Sequence, residues 1–363
     1  MSPRTGGKAN PDRSAAQSGA SAGESLMLRE AREAPAAVAR TLAANTGACR
    51  GLAERLRAAP PPFAVTCARG SSDNAATFAK YLFELRLGLV TSSMGPSIRS
   101  VYAAAPNMRG ALFLAISQSG RSPDLLQLAQ AAREVGAVTV AVVNDAASPL
   151  GEICESVLPL RAGSERSVAA TKSFIAALAA VLQLYAHWRG DGDLLRALDR
   201  LPDDLEAAAH ADWSAALALL ARAEHLYVVG RGVGLAVAQE AALKLKEAAG
   251  IHAEAVSAAE LMHGPLALAG ADFPVLVFAQ PDEAEAGLLE LVQQLRGRNI
   301  PVILAARRPL AGVPVLPVSP AMNAQTAPVA LIQSFYPLAD AIARARGRDP
   351  DRPPHLSKVT ETL

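Results

Sequence analysis

Between the apolar segment ALFLAI and the helical pattern LLQLAQAAREVG stands a loop crowded with hydroxyls, Ser117-Gln118-Ser119-Gly120-Arg121-Ser122-Pro123-Asp124. Ser122 is suited to cap the following helix, with Pro123 at its first position and Asp124 in its first turn. The loop therefore joins the C-terminal end of a strand to the N-terminal end of a helix, where free backbone N–H groups and the helix dipole favour an anion. The hydroxyls of Ser117, Ser119 and Ser122 are donors suited to phosphate oxygens, and Gly120 lets the backbone come close. A turn that only caps a helix has the same composition, so the loop alone leaves both readings open.

Three other stretches carry chemistry. Arg69-Gly70-Ser71-Ser72-Asp73-Asn74 is a second strand-to-helix turn with hydroxyls at the same edge, and Gly163 to Lys172 leads into a helix and is placed to close over a ligand. In QEAALKLKEAAGIHAEAVSAAELMHGPLAL, Glu240, Lys244 and Glu247 recur at i, i+4 and i+7, on one helix face. A solvent-facing stripe of ion pairs explains that spacing for an isolated helix. His252, Glu254, Glu260 and His263 follow in an Ala-rich, loop-like stretch, with His263-Gly264-Pro265 as a tight turn. A glutamate, a lysine and an imidazole together are the groups that move protons beside a carbonyl. The Pro-rich tail from Asp349 onward contains Lys358, which its chemistry alone does not single out.

The elements that must position these groups alternate short β-branched runs with helices. FAVTCA (63–68), ALFLAIS (111–117), AVTVAVV (137–143) and SVLPL (156–160) read as strands, followed by a helix from about Val168 to Trp188. HLYVVG (225–230), PVLVFAQ (274–280), IPVILAA (300–306) and VPVLPV (313–318) form a second series. Near-continuous apolar strands separated by helices indicate an α/β fold with parallel sheets covered on both faces. A helical segment from Ser25 to about Arg57, interrupted near Pro35 and Gly47, precedes them, and a polar stretch at 189–204 reads as a linker. The expected organisation is an arm over residues 1–24, a helical segment over 25–59, α/β domains over 60–195 and 205–345, and a tail over 346–363.

The two series look like copies. Arg69-Gly70 closes the first strand of one and Arg231-Gly232 that of the other; Phe113 and Val275, then Val140 and Val302, keep the same offset along the chain. At the place of Ser117-Gln118-Ser119-Gly120 the second series has Ala279-Gln280-Pro281-Asp282, without hydroxyls and with an acid that repels phosphate. The asymmetry points to one phosphate site, in the first series.

Length and composition remove other classes. At 363 residues the chain fits two domains, and 51% hydrophobic against 19% charged residues supplies ample core. Lysine plus arginine number 35 and aspartate plus glutamate 34, which gives no reason to expect nucleic acid or a membrane as partner. No apolar run approaches the roughly 20 residues that span a bilayer, and the N-terminus has no apolar signal core, so a cytoplasmic location is expected. Cys49, Cys67 and Cys154 are too few and too scattered for a zinc site or disulfide framework.

Taken jointly, SQSG with a hydroxyl two residues on, the Glu165–Lys172 segment, ALKLKE, IHAEA, HGPLAL and a tail lysine beside Val-Thr make the chain similar to the sugar isomerase (SIS) family. Specifically, it resembles the isomerase half of glucosamine-6-phosphate synthase from about Met27 onward. The resemblance implies two tandem flavodoxin-like SIS domains and a homodimer with shared active sites. By family pattern Ser72, Ser117, Gln118, Ser119 and Ser122 match positions that hold a sugar phosphate, and Val168 a backbone contact near the sugar. Glu247 matches the base that moves a proton between C1 and C2, with Lys244 beside it. His263 matches the ring-opening histidine, contributed in the family by the neighbouring subunit, and Lys358 the tail lysine that engages the open-chain carbonyl as a cation or a Schiff base. Two features depart from the pattern. The glutaminase half with its N-terminal cysteine has no counterpart in this sequence, where position 2 is Ser2, and Arg121 stands where the family commonly has an acid, either adding charge to the phosphate site or pointing to solvent.

The resemblance therefore implies an amino-sugar phosphate as substrate, needing neither metal nor nicotinamide, and isomerising deamination of glucosamine 6-phosphate to fructose 6-phosphate and ammonia. The rivals are an ammonia-using synthase half, a related enzyme for galactosamine 6-phosphate or fructosamine 6-phosphate, and a non-catalytic sugar-phosphate sensor.

Overall fold

The computed structural model describes residues 23–319 and 323–358; most of the N-terminal arm, and the Val359-Thr360 pair of the tail, lie outside the described residues. Helices α1 (Leu26–Arg32) and α2 (Ala34–Ala58) lead into β1 (Ala64–Cys67), α3 (Ser71–Leu87), β2 (Thr91–Ser93) and the short α4 (Ser97–Ser100). Then come β3 (Leu112–Ser117), α5 (Pro123–Glu134), β4 (Val138–Val143), α6 (Pro149–Ile153), β5 (Ser156–Pro159) and α7 (Lys172–Arg189). Helices α8 (Gly192–Ala209) and α9 (Leu217–Leu220) connect to β6 (His225–Gly230), α10 (Gly234–Lys244), β7 (His252–Ser257) and α11 (Ala258–Met262). The chain continues through β8 (Val275–Phe278), α12 (Glu285–Gly297), β9 (Val302–Ala306), β10 (Val315–Pro317) and α13 (Ala327–Ala345).

The strands form two five-stranded sheets, ordered β2-β1-β3-β4-β5 and β7-β6-β8-β9-β10, with every pairing parallel. Both have the flavodoxin-like order, the arrangement expected from the sequence. Val65 lies opposite Ser92 and Phe113 in the first sheet; Tyr227 lies opposite Glu254 and Val275 in the second, all three displaced by the offset that separates Arg69 from Arg231. The next strand slips by one. Phe113 faces Thr139, but Val275 faces Val302, so Val302 matches Thr139 and not Val140.

Alternation along the strands divides the cores. Leu112, Leu114 and Ile116 of β3 enter a core shared by both halves, which Val228, Leu276 and Phe278 enter from the second sheet. Phe113 and Ala115 enter a separate core on the outer face of the first sheet, and Tyr227 and Val277 one on the outer face of the second. Both faces being covered, the strands need no polar side. Helices α3, α7, α10 and α13 fill the shared core, and α7 is buried without interruption from Lys172 to Ala186. None of the described helices is long and apolar enough to cross a membrane.

Three expectations are corrected. Pro35 does separate α1 from α2, but Gly47 sits inside α2, its cost of about 1 kcal/mol outweighed by packing on α7. The stretch expected as a linker is mostly α8, capped by Asp191 and burying Leu194, Leu198, Leu201 and Leu205; its charges and Pro202 hide a 4-3-4 apolar stripe. Residues 252–257, expected as loop, form the edge strand β7. The tail is pinned: the Asp351 carboxylate accepts from the backbone N–H groups of Leu26 (2.6 Å) and Met27 (2.8 Å) at the start of α1.

Cys49, Cys67 and Cys154 are buried and unpaired with one another, and burial pushes each thiol up to about 12. At pH 8 the native protein is therefore expected to leave a chromogenic disulfide reagent unconsumed, with three thiols titrating once denaturant is added. Rapid reaction of any thiol in the native state contradicts this placement of the core.

Candidate active site

The turns after β1 and β3 face each other across a cavity of about 380 Å³. Ser72 in the first turn of α3 lines it, as do Ser117, Gln118, Ser119 and Ser122 from the loop before α5. Ser117 Oγ accepts from Gly120 N (3.1 Å) and Ser119 Oγ from Arg121 N (3.4 Å), so the loop curls on its own hydroxyls. Gly120 is required here: its φ is +63°, and a Cβ would collide with the Ser148 side chain that caps α6. Ser122 occupies the N-cap position of α5 and lines the cavity, but its hydroxyl makes no capping bond. The expected cap is thus not formed, which leaves N–H groups and hydroxyls together at two helix N-termini.

Arg121, whose direction the sequence leaves open, turns away from the cavity and pairs with Asp145 at 3.2 Å on the exposed surface. The cation at this end is Arg69, which sequence reasoning treats only as a strand terminator. Its Nε and Nη2 donate to Asp124 Oδ2 at 3.2 and 2.9 Å, and Asp124 is wholly buried.

The second half supplies an internal comparison. Gln280, the counterpart of Gln118, is wholly buried, donates to Arg231 O (2.6 Å) and Asp282 Oδ2 (3.1 Å), and fills the space a Cβ on Gly234 would need. Gly234 stands where the first half has Ser72. The matching space is therefore plugged in the second half and open in the first.

Glu247 reaches the same cavity from the other half. Helices α3 and α10 pack together, and the buried residues of both are rich in alanine (Ala75 and Ala79; Ala238 and Ala241), small side chains that let helices approach closely. Short donors from α3 therefore reach α10: Ser71 Oγ donates to Glu240 Oε1 (3.1 Å) and Asn74 Nδ2 to Glu240 Oε2 (2.8 Å). Glu240 and Lys244 are wholly buried, which excludes a solvent-facing ion-pair stripe. Lys244 Nζ lies 3.5 Å from Glu240 and 2.5 Å from Glu247. Burial lowers the proton affinity of this ammonium, but the Glu240 and Glu247 carboxylates more than offset it, so its pKa lies above the usual lysine value. After Lys244 the helix widens to a π-turn over Leu245–Ala249, which carries Glu247, and Gly250 ends it in the left-handed region.

The third wall is the segment before α7. A helix from Val168 is not formed; α7 begins at Lys172, because the Glu165 carboxylate accepts the Thr171 and Ser173 N–H groups (3.0 and 3.1 Å) and holds 165–171 as a loop. Val168 and Ala170 line the cavity there. Glu165 also accepts from Ser173 Oγ (2.5 Å) and from Lys358 Nζ (3.4 Å), the tail lysine at the cavity. Burial pushes the Glu165 carboxyl up, but Lys358 and these hydrogen bonds outweigh it, and its pKa lies below the usual carboxylate range. Glu165 is absent from the candidate residues of the sequence reading, since a lone glutamate before a helix carries no spacing signal.

One cavity thus collects Ser72, Ser117, Gln118, Ser119, Ser122, Val168, Glu247 and Lys358, with Lys244 directly behind Glu247. His263 is not among them. It caps the end of α11, exposed and outside the cavity of its own chain.

The SIS domain model matches residues 64–187, the first sheet, and 219–310, the second sheet up to β9. The chain is 34% identical over 357 residues to a glutamine–fructose-6-phosphate aminotransferase (isomerizing) of Bradyrhizobium diazoefficiens, covering 92% of this chain and 58% of that one. It therefore spans little more than half the length of that curated relative. A Silicibacter pomeroyi structure described as a candidate phosphosugar isomerase superposes with a TM-score of 0.86 at 43% identity, covering 90% of this chain and 100% of that one. The C-terminal domain of glucosamine-fructose-6-phosphate aminotransferase from Francisella tularensis superposes with a TM-score of 0.78 at 27% identity, covering 93% and 100%. With more than half of its residues matched and the sheet order repeated in both halves, the chain belongs to the SIS domain family.

Proposed function

We propose that the protein is a sugar-phosphate enzyme that converts glucosamine 6-phosphate and water to fructose 6-phosphate and ammonia. The observation that carries this reading is the single cavity in which a cradle of serine hydroxyls faces Glu247 and Lys358. The cradle anchors the phosphate and fixes the sugar along the cavity. Glu247 takes the proton from C2 of the open-chain sugar and returns it to C1, converting the amine at C2 to an imine that water hydrolyses. Lys244, ion-paired with Glu247, steadies the charge that develops as the proton moves. Lys358 reaches the carbonyl end as a cation. His263 assists ring opening from the neighbouring subunit of a homodimer, a reading its exposed position outside the cavity of its own chain allows.

The direction we propose rests on the abundance of water as the partner of the imine, which favours release of ammonia; synthesis from fructose 6-phosphate and ammonia is the reverse of the same chemistry at the same residues.

Purified protein is expected to release ammonia from glucosamine 6-phosphate faster than from galactosamine 6-phosphate or fructosamine 6-phosphate, and Glu247→Gln to lower kcat by a factor on the order of 10² or more. A variant as fast as wild type overturns the assignment of the base. Shared sites make a second forecast. Mixing and refolding inactive Glu247→Gln and His263→Ala chains in equal amounts should restore roughly a quarter of wild-type activity, because half the dimers are mixed and each holds one intact site. No restoration places His263 outside the neighbour's site.

A further inference from the structure

The cradle described above supplies neutral donors, yet a sugar phosphate changes charge within the working pH range, its second ionisation falling near pH 6. The structure points to a residue that reads that charge. Arg69 lines the cavity at the serine end, with its side chain about half exposed. It is fixed in place: Nε and Nη2 both donate to Asp124 Oδ2, while the other carboxylate oxygen of Asp124 accepts the Leu125 N–H at 2.8 Å. The acid is wholly buried in the first turn of α5, so the guanidinium is braced on the same helix whose N-terminal loop forms the cradle. Of the two edges of the guanidinium fork, one is engaged by Asp124 and the other meets no acid among the described hydrogen bonds, which suits it to an anion.

The second half tests whether such a brace is a general feature of the fold. Arg231 occupies the position of Arg69, but at the same offset the counterpart of Asp124 is Ala286. There the turn is held instead by Gln280 donating to the Arg231 carbonyl. An arginine braced by a buried acid thus occurs in the half with the open cavity and hydroxyls, and not in the half where the space is plugged. Helix bracing alone does not account for that difference, because α12 starts at the equivalent place without it.

We propose that Arg69 is a specificity-determining residue that selects the dianionic form of the sugar's phosphate, with Asp124 as its positioning partner. The inference rests on the reading of this cavity as a sugar-phosphate site. It adds that affinity, and not proton transfer, depends on the guanidinium. Lysine, which lacks the fork, is not an equivalent substitute.

Calorimetric titration of fructose 6-phosphate into wild type, Arg69→Ala and Arg69→Lys at pH 5.5 and pH 8, together with ammonia-release kinetics, tests this. Wild type is expected to bind more tightly at pH 8, as the phosphate loses its second proton. Arg69→Ala is expected to bind about 10- to 100-fold more weakly at pH 8, to lose most of that pH difference, and to raise KM with kcat little changed. Arg69→Lys should fall between them. A merely structural arginine would lower thermal stability without altering the pH difference. If wild type and Arg69→Ala bind the ester equally at both pH values, Arg69 has no such role while the sugar-phosphate reading stands. If wild type itself binds no sugar phosphate, both fall.

Discussion

A lysine ammonium with no exposed surface sits where the two halves of this molecule meet. Lys244 is held between Glu240 and Glu247, and Glu240 is held in turn by Ser71 and Asn74 from the other half. Removing one partner of a buried charge cluster typically costs about 3–5 kcal/mol, because the remaining charge is left without solvent or counter-ion. The register between α3 and α10 is thereby tied to satisfying these charges. The same register brings the start of α3, with Ser72, and the π-turn carrying Glu247 to one cavity. Rotation of either half against the other would strip Glu240 and Lys244 of their hydrogen bonds to Ser71 and Asn74.

The two halves share a sheet order but differ in how they treat the gap between their first and third strands. In the first, Gly120 brings its loop tight against Ser148, the hydroxyls stay unspent on capping, and space remains. In the second, Gln280 folds over Gly234 and closes it. One half contributes the hydroxyl-lined loops, and the other the helix end that carries Glu247. Neither half alone assembles the cavity.

Much of this was legible in the residues. The eight apolar runs became β1, β3, β4, β5, β6, β8, β9 and β10; the six central ones are covered on both faces and so need no polar side. The two strands without that signal, β2 and β7, are among the four edges, where the short run Thr91–Ser93 and the mixed sequence His252–Ser257 need only partial burial. The constant offset between the two series held for the pairings around β1 and β6 and slipped by one at the next strand, since loop length is not recorded in strand composition. At the site, the serine loop and the Glu–Lys–Glu spacing carried positional signals. Arg69 and Glu165 did not, because each acquires its partner across the fold: Asp124 lies 55 positions away and Lys358 lies 193.

Those long-range partners share a pattern. Each cation at the cavity is already matched with an acid: Arg69 with Asp124, Lys358 with Glu165, and Lys244 behind it with Glu247 and Glu240. Matched charges fix the direction of each donor within the fold. The Glu165 pairing goes further, since that carboxylate also sets where α7 begins and holds the Val168 loop against the cavity. Drawing Lys358 away from Glu165 toward a carbonyl would leave a buried carboxylate relying on Ser173 and two backbone N–H groups. The tail lysine and the loop that forms the cavity's third wall are thus mechanically linked through one side chain, and engagement of the first is felt by the second.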